Sequence, residues 1–375
     1  MAERIKRIGL DNVVATETEL SYIDGQEGVL LYRGYNIHDL AENATYPEAL
    51  YLLWNGQLPT ASELESFRDD LAGQRAVDER VIEVLRQMPD DADPMGVLRT
   101  AVSTLGNLDS RADETSEEAN RGKARRLVAK FPTVVAAYHR LREGREPVAP
   151  DPSLGHAANF LYMLHGEEPD DVAAEALDTS LLLYLDHGLN ASTFTCRVIS
   201  STLSDIYSAV TGGVGALKGE LHGGANEAAM RMILEIESLD RAEKWVDDAL
   251  DKGKKIMGFG HRVYRTEDPR ATHLREMSRR IGESTGETKW YEISKRVEET
   301  MLDRKGINCN VDFYCASVYY SLGLPLDLYT PLFAMGRVGG WSAHVLEQLS
   351  DNRLIRPRAE YVGETDAAWT PVDER

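Results

Sequence analysis

The sequence predicts a mainly α fold, on three observations. Apolar residues recur at helical spacing through most of the chain. Prolines and capping residues stand at the starts of those stretches, and glycines at their ends. Alternating, strand-like sequence is confined to the part before residue 40. There, Ser21 to Tyr32 holds two apolar runs around Asp24-Gly25 and Gly28, which reads as a short N-terminal β-hairpin.

The helices follow in order. Pro47 to Asn55 has proline in its first turn and Gly56 as its stop. Thr60 and Glu63 form a capping box ahead of Leu64, Phe67 and Leu71 on one face. Asp93-Pro94 opens a helix with Val97, Leu98, Val102 and Leu105 as its apolar positions. Ser116 to Leu141 reads as a long helix bent at Pro132. Further helices fit 170–186, 192–210, 225–237, 239–251, 269–282, 287–304, 313–321 and 340–350. The Gly-rich piece 212–224 and the break at Gly323-Leu-Pro325 are the expected hinges. They divide the chain into a large helical domain, 1–220 with 323–375, and a smaller helical domain, 221–322, of about one hundred residues.

Composition narrows the function. The chain has 375 residues, 42% of them hydrophobic, enough for a large core. No window is long and apolar enough to span a bilayer, and the first residues lack the apolar run of a leader, so a cytoplasmic location is expected. Three cysteines, Cys196, Cys309 and Cys315, have neither disulfide nor zinc spacing. The net charge of -20 argues against nucleic acid and anionic membrane partners. Together with the excess of arginine over lysine it suggests a halophilic protein, the alternative being an ordinary acidic one.

Five segments carry chemistry. His222 lies in Gly-Glu-Leu-His-Gly-Gly, just before a helical pattern that starts at Ala225. A helix start beside an imidazole lowers its pKa, and a neutral imidazole can hydrogen-bond to negative charge developing on an oxygen. His187, in Tyr184-Leu-Asp-His-Gly-Leu-Asn190, ends a hydrophobic helix and is either a C-capping or an interior histidine. His261 follows a loop, Lys255-Ile256-Met257-Gly258-Phe259-Gly260, that can lay backbone against a flat ring, and Arg262, Arg265 and Arg270 come after it. Arg270 follows Asp268-Pro269 at a helix start, which calls for an anion there, either a ligand or a neighbouring carboxylate. Asp312, ahead of an aromatic helix, is an N-cap or a general base raised by apolar neighbours. Arg337, between glycines, and Arg356, near the C-terminus, suit a carboxylate fork; tail arginines are otherwise solvated. Dinucleotide, P-loop and zinc-helix signatures are absent from the sequence. A metal held by His187, His222, His261 and Asp312 is conceivable but lacks metal spacing.

Taken together, Gly9 to Thr18, Tyr32-Arg-Gly-Tyr35, Pro94 to Ala101, Leu217 to Asn226, Gly258 to Tyr264, Asp268-Pro-Arg270 and Asn310 to Tyr314 resemble the citrate synthase family, in its short dimeric form, over almost the whole chain. The resemblance implies a nearly all-α fold of two domains with the active site between them. It implies that His222 stabilises the enolate of acetyl-CoA, Asp312 removes the methyl proton and His261 protonates the oxaloacetate carbonyl oxygen. His187, Arg270, Arg337 and Arg356 would hold oxaloacetate and citrate, with Arg356 entering from the other subunit of a homodimer. Lys255, Ile256, Met257, Gly258, Phe259 and Gly260 would meet the adenine of CoA, and Arg265 its phosphates. No metal or redox cofactor is implied, and 2-methylcitrate synthase, which uses propionyl-CoA, is the nearest alternative. Cys309 and Cys315 depart from the family's commoner proline and serine, which puts local packing around Asp312 in question.

Overall fold

The computed structural model describes residues 8–10 and 13–375; residues 1–7, read above for a leader, and residues 11–12 lie outside the described part. Strands β1 (Ser21–Asp24), β2 (Val29–Tyr32) and β3 (Tyr35–Asn36) form one small antiparallel sheet in that order. Ser21 pairs with Tyr32 and Asp24 with Val29. Asp24 closes the turn by accepting from the Gln26 and Glu27 amides at 2.9 and 3.0 Å.

Sixteen α-helices follow among the described residues. The first six are α1 (Ile37–Asn43), α2 (Tyr46–Asn55), α3 (Ala61–Gly73), α4 (Glu79–Arg86), α5 (Pro94–Leu108) and α6 (Glu117–Arg142). Their ends obey the expected signals. Gly56 stops α2 in the left-handed region, Thr60 and Glu63 form the capping box of α3, and Asp93 and Ser116 cap α5 and α6. Next come α7 (His156–His165), α8 (Asp171–Tyr184), α9 (Ala191–Ser201) and α10 (Ile206–Leu217). Then α11 (Ala225–Ile236), α12 (Leu239–Asp251), α13 (Pro269–Thr285), α14 (Lys289–Lys305), α15 (Val311–Ser321) and α16 (Tyr329–Ser350) complete the set. Residues after 350 form an exposed tail without α-helix.

Three expectations are corrected. The helix expected over 192–210 is two helices, α9 and α10, separated at Thr202 to Asp205. The Gly-rich hinge begins as helix: Gly212, Gly213 and Gly215 lie inside α10. The last helix begins at Tyr329, so Arg337 sits in a helix and not in a glycine loop. One physical cause underlies the last two. These glycines permit close helix contact, since a Cβ on Gly212 would stand 2.3 Å from Ile199 Cδ1 and one on Gly340 would stand 2.1 Å from the Leu185 carbonyl. Glycine read as a hinge signal is here a packing signal.

Helix α16 is the axis of the molecule. Its residues from Tyr329 to Val345 are buried, and α2, α5, α6, α8, α9 and α10 pack on it. Helices α11 to α15 pack on one another, and α13 and α15 also touch α8.

Candidate active site

The chain beyond α8 is locked before it reaches His187. Asp186 is fully buried; it accepts from Ser21 Oγ at 2.5 Å and from the Gly188 amide at 3.0 Å, and pairs with His344 Nε2 at 3.1 Å. Burial opposes its charge, yet His344, Arg337 and Ser21 hold its pKa down at about 2. The Tyr32 hydroxyl accepts from the Asp186 amide at 3.2 Å and donates to the Asp186 carbonyl at 2.9 Å. His187 is therefore no helix cap, for α8 ends at Tyr184. Its Nε2 meets the Tyr264 hydroxyl at 3.1 Å, and its ring lies 5.3 Å from that of His261. Burial, then Arg270, His261 and Arg337, hold His187 well below the usual histidine range.

Backbone amides fix the protons on the other two imidazoles. The Ser192 amide, in the first turn of α9, donates to His222 Nε2 at 3.2 Å, and Ser192 Oγ lies 2.8 Å from the same nitrogen. A nitrogen that accepts from an amide carries no proton, so neutral His222 bears its hydrogen on Nδ1. Trp341 Nε1 donates to Ser192 Oγ at 3.0 Å and steadies that contact. Burial, then Arg337, lowers His222 to about 4. The helix that addresses this ring is thus α9 and not α11, as the sequence suggested. In His261, Nδ1 accepts from the Val263 and Tyr264 amides at 3.0 and 3.2 Å, which leaves the hydrogen on Nε2. Burial, then Arg270, lowers it to about 4. Both rings are neutral at pH 7 and each offers one N–H.

Asp312 lies in the first turn of α15, and Asn310, not Asp312, is the N-cap. Tyr184 donates to Asp312 Oδ1 at 2.8 Å. Burial raises its pKa to about 6, with Tyr184, Arg270 and Arg337 acting the other way. A carboxylate so placed is a stronger base than an ordinary one and is still ionised at pH 7.

The two arginines differ. Arg270 is 2% exposed and donates through Nε and Nη2 to both oxygens of Asp268, at 2.9 and 2.8 Å. Asp268 caps α13 and also accepts from the Val311 amide at 3.2 Å, so it supplies the anion that this helix start called for. Arg337 is equally buried, yet among the described residues it makes no ion pair. Its Nε donates to the Tyr184 carbonyl at 2.6 Å, and its guanidinium lies 4.8 Å from the Phe333 ring centre. Burial pushes its pKa down to about 10 against the pull of Asp186. Phe333 joins the parts: its ring is 4.2 Å from Tyr184 and 6.4 Å from His222.

The expected CoA loop is split. Ile256 and Phe259 are buried, and Phe259 packs 4.6 Å from Phe313, so its side chain offers no face to a flat ligand. Backbone from Gly258 to Gly260 pairs with Asn308 and Asn310, ahead of α15. Lys255, Gly260 and Arg265 are exposed and Met257 partly so. Arg356 is not gathered with the histidines: it is exposed in the tail and lines a separate cavity of about 1160 Å³ with Arg33, Phe194 and Arg197. The four-ligand metal reading is not borne out either. Among the described residues the one group close enough is Glu267, Glu298 and Cys309, and Arg275 already pairs with both carboxylates. Cys309 and Cys315 are buried thiols, with Cys309 donating to Glu298 at 3.3 Å.

Sequence reasoning missed Tyr184, Asp186, Ser192, Tyr264 and Phe333, and left Asp268 open as a partner of Arg270. Three of the five missed residues stand within three residues of a residue it chose, so proximity was the available signal. Ser192 and Phe333 come from helices packed against the site and carry no local mark.

Among known proteins, the family profile described as citrate synthase, C-terminal domain, matches residues 9–358. The citrate synthase of Haloferax volcanii is 55% identical, with 100% of each chain covered. Citrate synthase 2 of Bacillus subtilis is 52% identical over 98% of each chain. The 2-methylcitrate synthase 1 of Corynebacterium glutamicum is similar at 42% identity over the full length of both. The solved ternary complex of Thermoplasma acidophilum citrate synthase with carboxymethyl coenzyme A and oxaloacetate matches with a TM-score of 0.92, at 37% identity and 98% coverage of each chain.

Proposed function

The chain belongs to the citrate synthase family, and we propose that it condenses acetyl-CoA with oxaloacetate and hydrolyses citryl-CoA to citrate and CoA. One observation carries the reading: Arg337, a buried cation that makes no ion pair among the described residues and feels Asp186 only at longer range, stands in one cluster with Arg270, three neutral imidazoles and a raised carboxylate. A buried unpaired charge is costly, and a dicarboxylate ligand removes that cost.

Each group then has a task. Asp312 takes a proton from the acetyl methyl. The Nδ1–H of His222 stabilises the enolate oxygen, a kind of donor worth about 3–4 kcal/mol. The Nε2–H of His261 meets the oxaloacetate carbonyl as the carbon–carbon bond forms and its oxygen gains charge. His187, Arg270 and Arg337 hold the oxaloacetate carboxylates and fix the carbonyl within attacking distance. Water then cleaves the thioester. No step needs a metal or redox cofactor.

The wider reading follows. Residues 221–322 form a smaller domain that closes on the larger one, 1–220 with 323–375, and shields the enolate from water. The exposed Lys255, Gly260 and Arg265, with the backbone of Ile256 to Phe259, receive CoA. The protein acts as a cytoplasmic homodimer in which Arg356 reaches the site of the second copy. No helix among the described residues is long and apolar enough to cross a membrane. The acidic surface fits activity at high salt, and the Haloferax volcanii relative supports that reading.

The test is free-thiol release when the protein is mixed with oxaloacetate and acetyl-CoA, along a KCl series. Silence at every salt concentration overturns the reading. Higher kcat/KM with propionyl-CoA than with acetyl-CoA would move the assignment to 2-methylcitrate synthase, which the lower identity of those relatives disfavours.

A further inference from the structure

The β1–β2 hairpin has no part in the chemistry above, yet it touches both loops that carry oxaloacetate-facing histidines. On one side Ser21 Oγ donates to Asp186 Oδ2 at 2.5 Å, and Ile23 Cδ1 lies 3.3 Å from where a Cβ on Gly188 would be. These residues flank His187. On the other side the Arg265 amide donates to the Gly25 carbonyl at 2.7 Å. A Cβ on Gly25 would stand 2.2 Å from the Val263 carbonyl oxygen, and one on Gly28 2.6 Å from Thr266 Oγ1.

The Val263 carbonyl belongs to the same peptide plane as the Tyr264 N–H, which donates to His261 Nδ1. The hairpin tip therefore presses on the peptide that sets the His261 ring. We infer that the Gly25 tip is a positioning element, which holds the His187 and His261 loops in register for oxaloacetate. The inference rests on the assignment of those two histidines to that substrate.

Gly25 lies outside the left-handed region, so alanine fits the turn itself and disturbs only the docking. Relieving the 2.2 Å contact requires the loop to retreat by about an ångström, and such a displacement at a reacting group costs about a hundredfold in rate. Gly25→Ala is therefore expected to lower kcat/KM for oxaloacetate by about a hundredfold, with KM for acetyl-CoA changed less than about threefold. Asp24→Ala loosens the tip without adding bulk and should give the same split at about a tenth of the amplitude. Parameters within about twofold of the parent in Gly25→Ala, or equal losses for both substrates that track a falling Tm, would overturn the inference. His187→Ala tests the premise separately. Unchanged oxaloacetate KM there refutes the histidine assignment, whatever Gly25→Ala does.

Discussion

Arg337 and Arg270 bring equal charge to one cluster of side chains by opposite means. Arg337 stands inside α16, in a helix wall that glycines let pack backbone to backbone against α8, and among the described residues it makes no ion pair. Arg270 stands at a helix start, already neutralised by Asp268. The first is held by the frame and is strained electrostatically; the second is electrostatically satisfied and holds the frame. A site can thus store its attraction for a dianion in one residue while a second residue guards the fold.

The comparison can be tested, beginning with the largest effect. Asp312→Asn removes the base both arginines act upon and should lower kcat by about 10²–10⁴ while oxaloacetate still binds. Undiminished turnover would end the assignment. Arg270→Ala leaves Asp268 buried without its ion-pair partner, and should cost about 3–5 kcal/mol of stability, as read by denaturant titration, besides weakening oxaloacetate. Arg337→Ala should weaken oxaloacetate comparably yet leave stability unchanged or higher; if both variants lose equal stability, the contrast is void. Gly340→Ala strikes the frame and should cost about 1–3 kcal/mol through overpacking, with KM affected only secondarily.

The smallest effects are in pH. The acid limb of kcat should fall with an apparent pKa near 6, from Asp312, since both catalytic imidazoles titrate near 4. The folded pKa of Asp312 lies above the unfolded value, so its ionisation costs stability fully above pH 6 and not at all below about pH 4. Asp312→Asn should accordingly stabilise by about 3 kcal/mol at pH 8 and by nothing near pH 3. Equal shifts at both pH values would contradict the burial effect.

Much of this was legible in the sequence. Capping residues placed most helix starts because caps act within one turn, and His187, His222, His261, Arg270, Arg337 and Asp312 were all marked beforehand by their glycine, aromatic or proline neighbours. What escaped was non-local. Gly212 and Gly336 looked like loop residues because their reason, a neighbouring helix, is far away in the chain. The Asp268 partner of Arg270 stood as one of two open choices because only geometry decides between a ligand and a carboxylate. Ser192, thirty residues from His222, reveals its role only when α9 is in place.

The hydrogens of His222 and His261 are set by peptide groups, with the Ser192 hydroxyl beside the first. Ordinary substitution alters side chains and leaves peptide N–H groups where they were. Sequence drift around the cleft can therefore reshape its walls while each ring keeps offering the same edge to a reactant. Only proline, which lacks that N–H, or a shift in chain path could transfer the hydrogen to the opposite nitrogen.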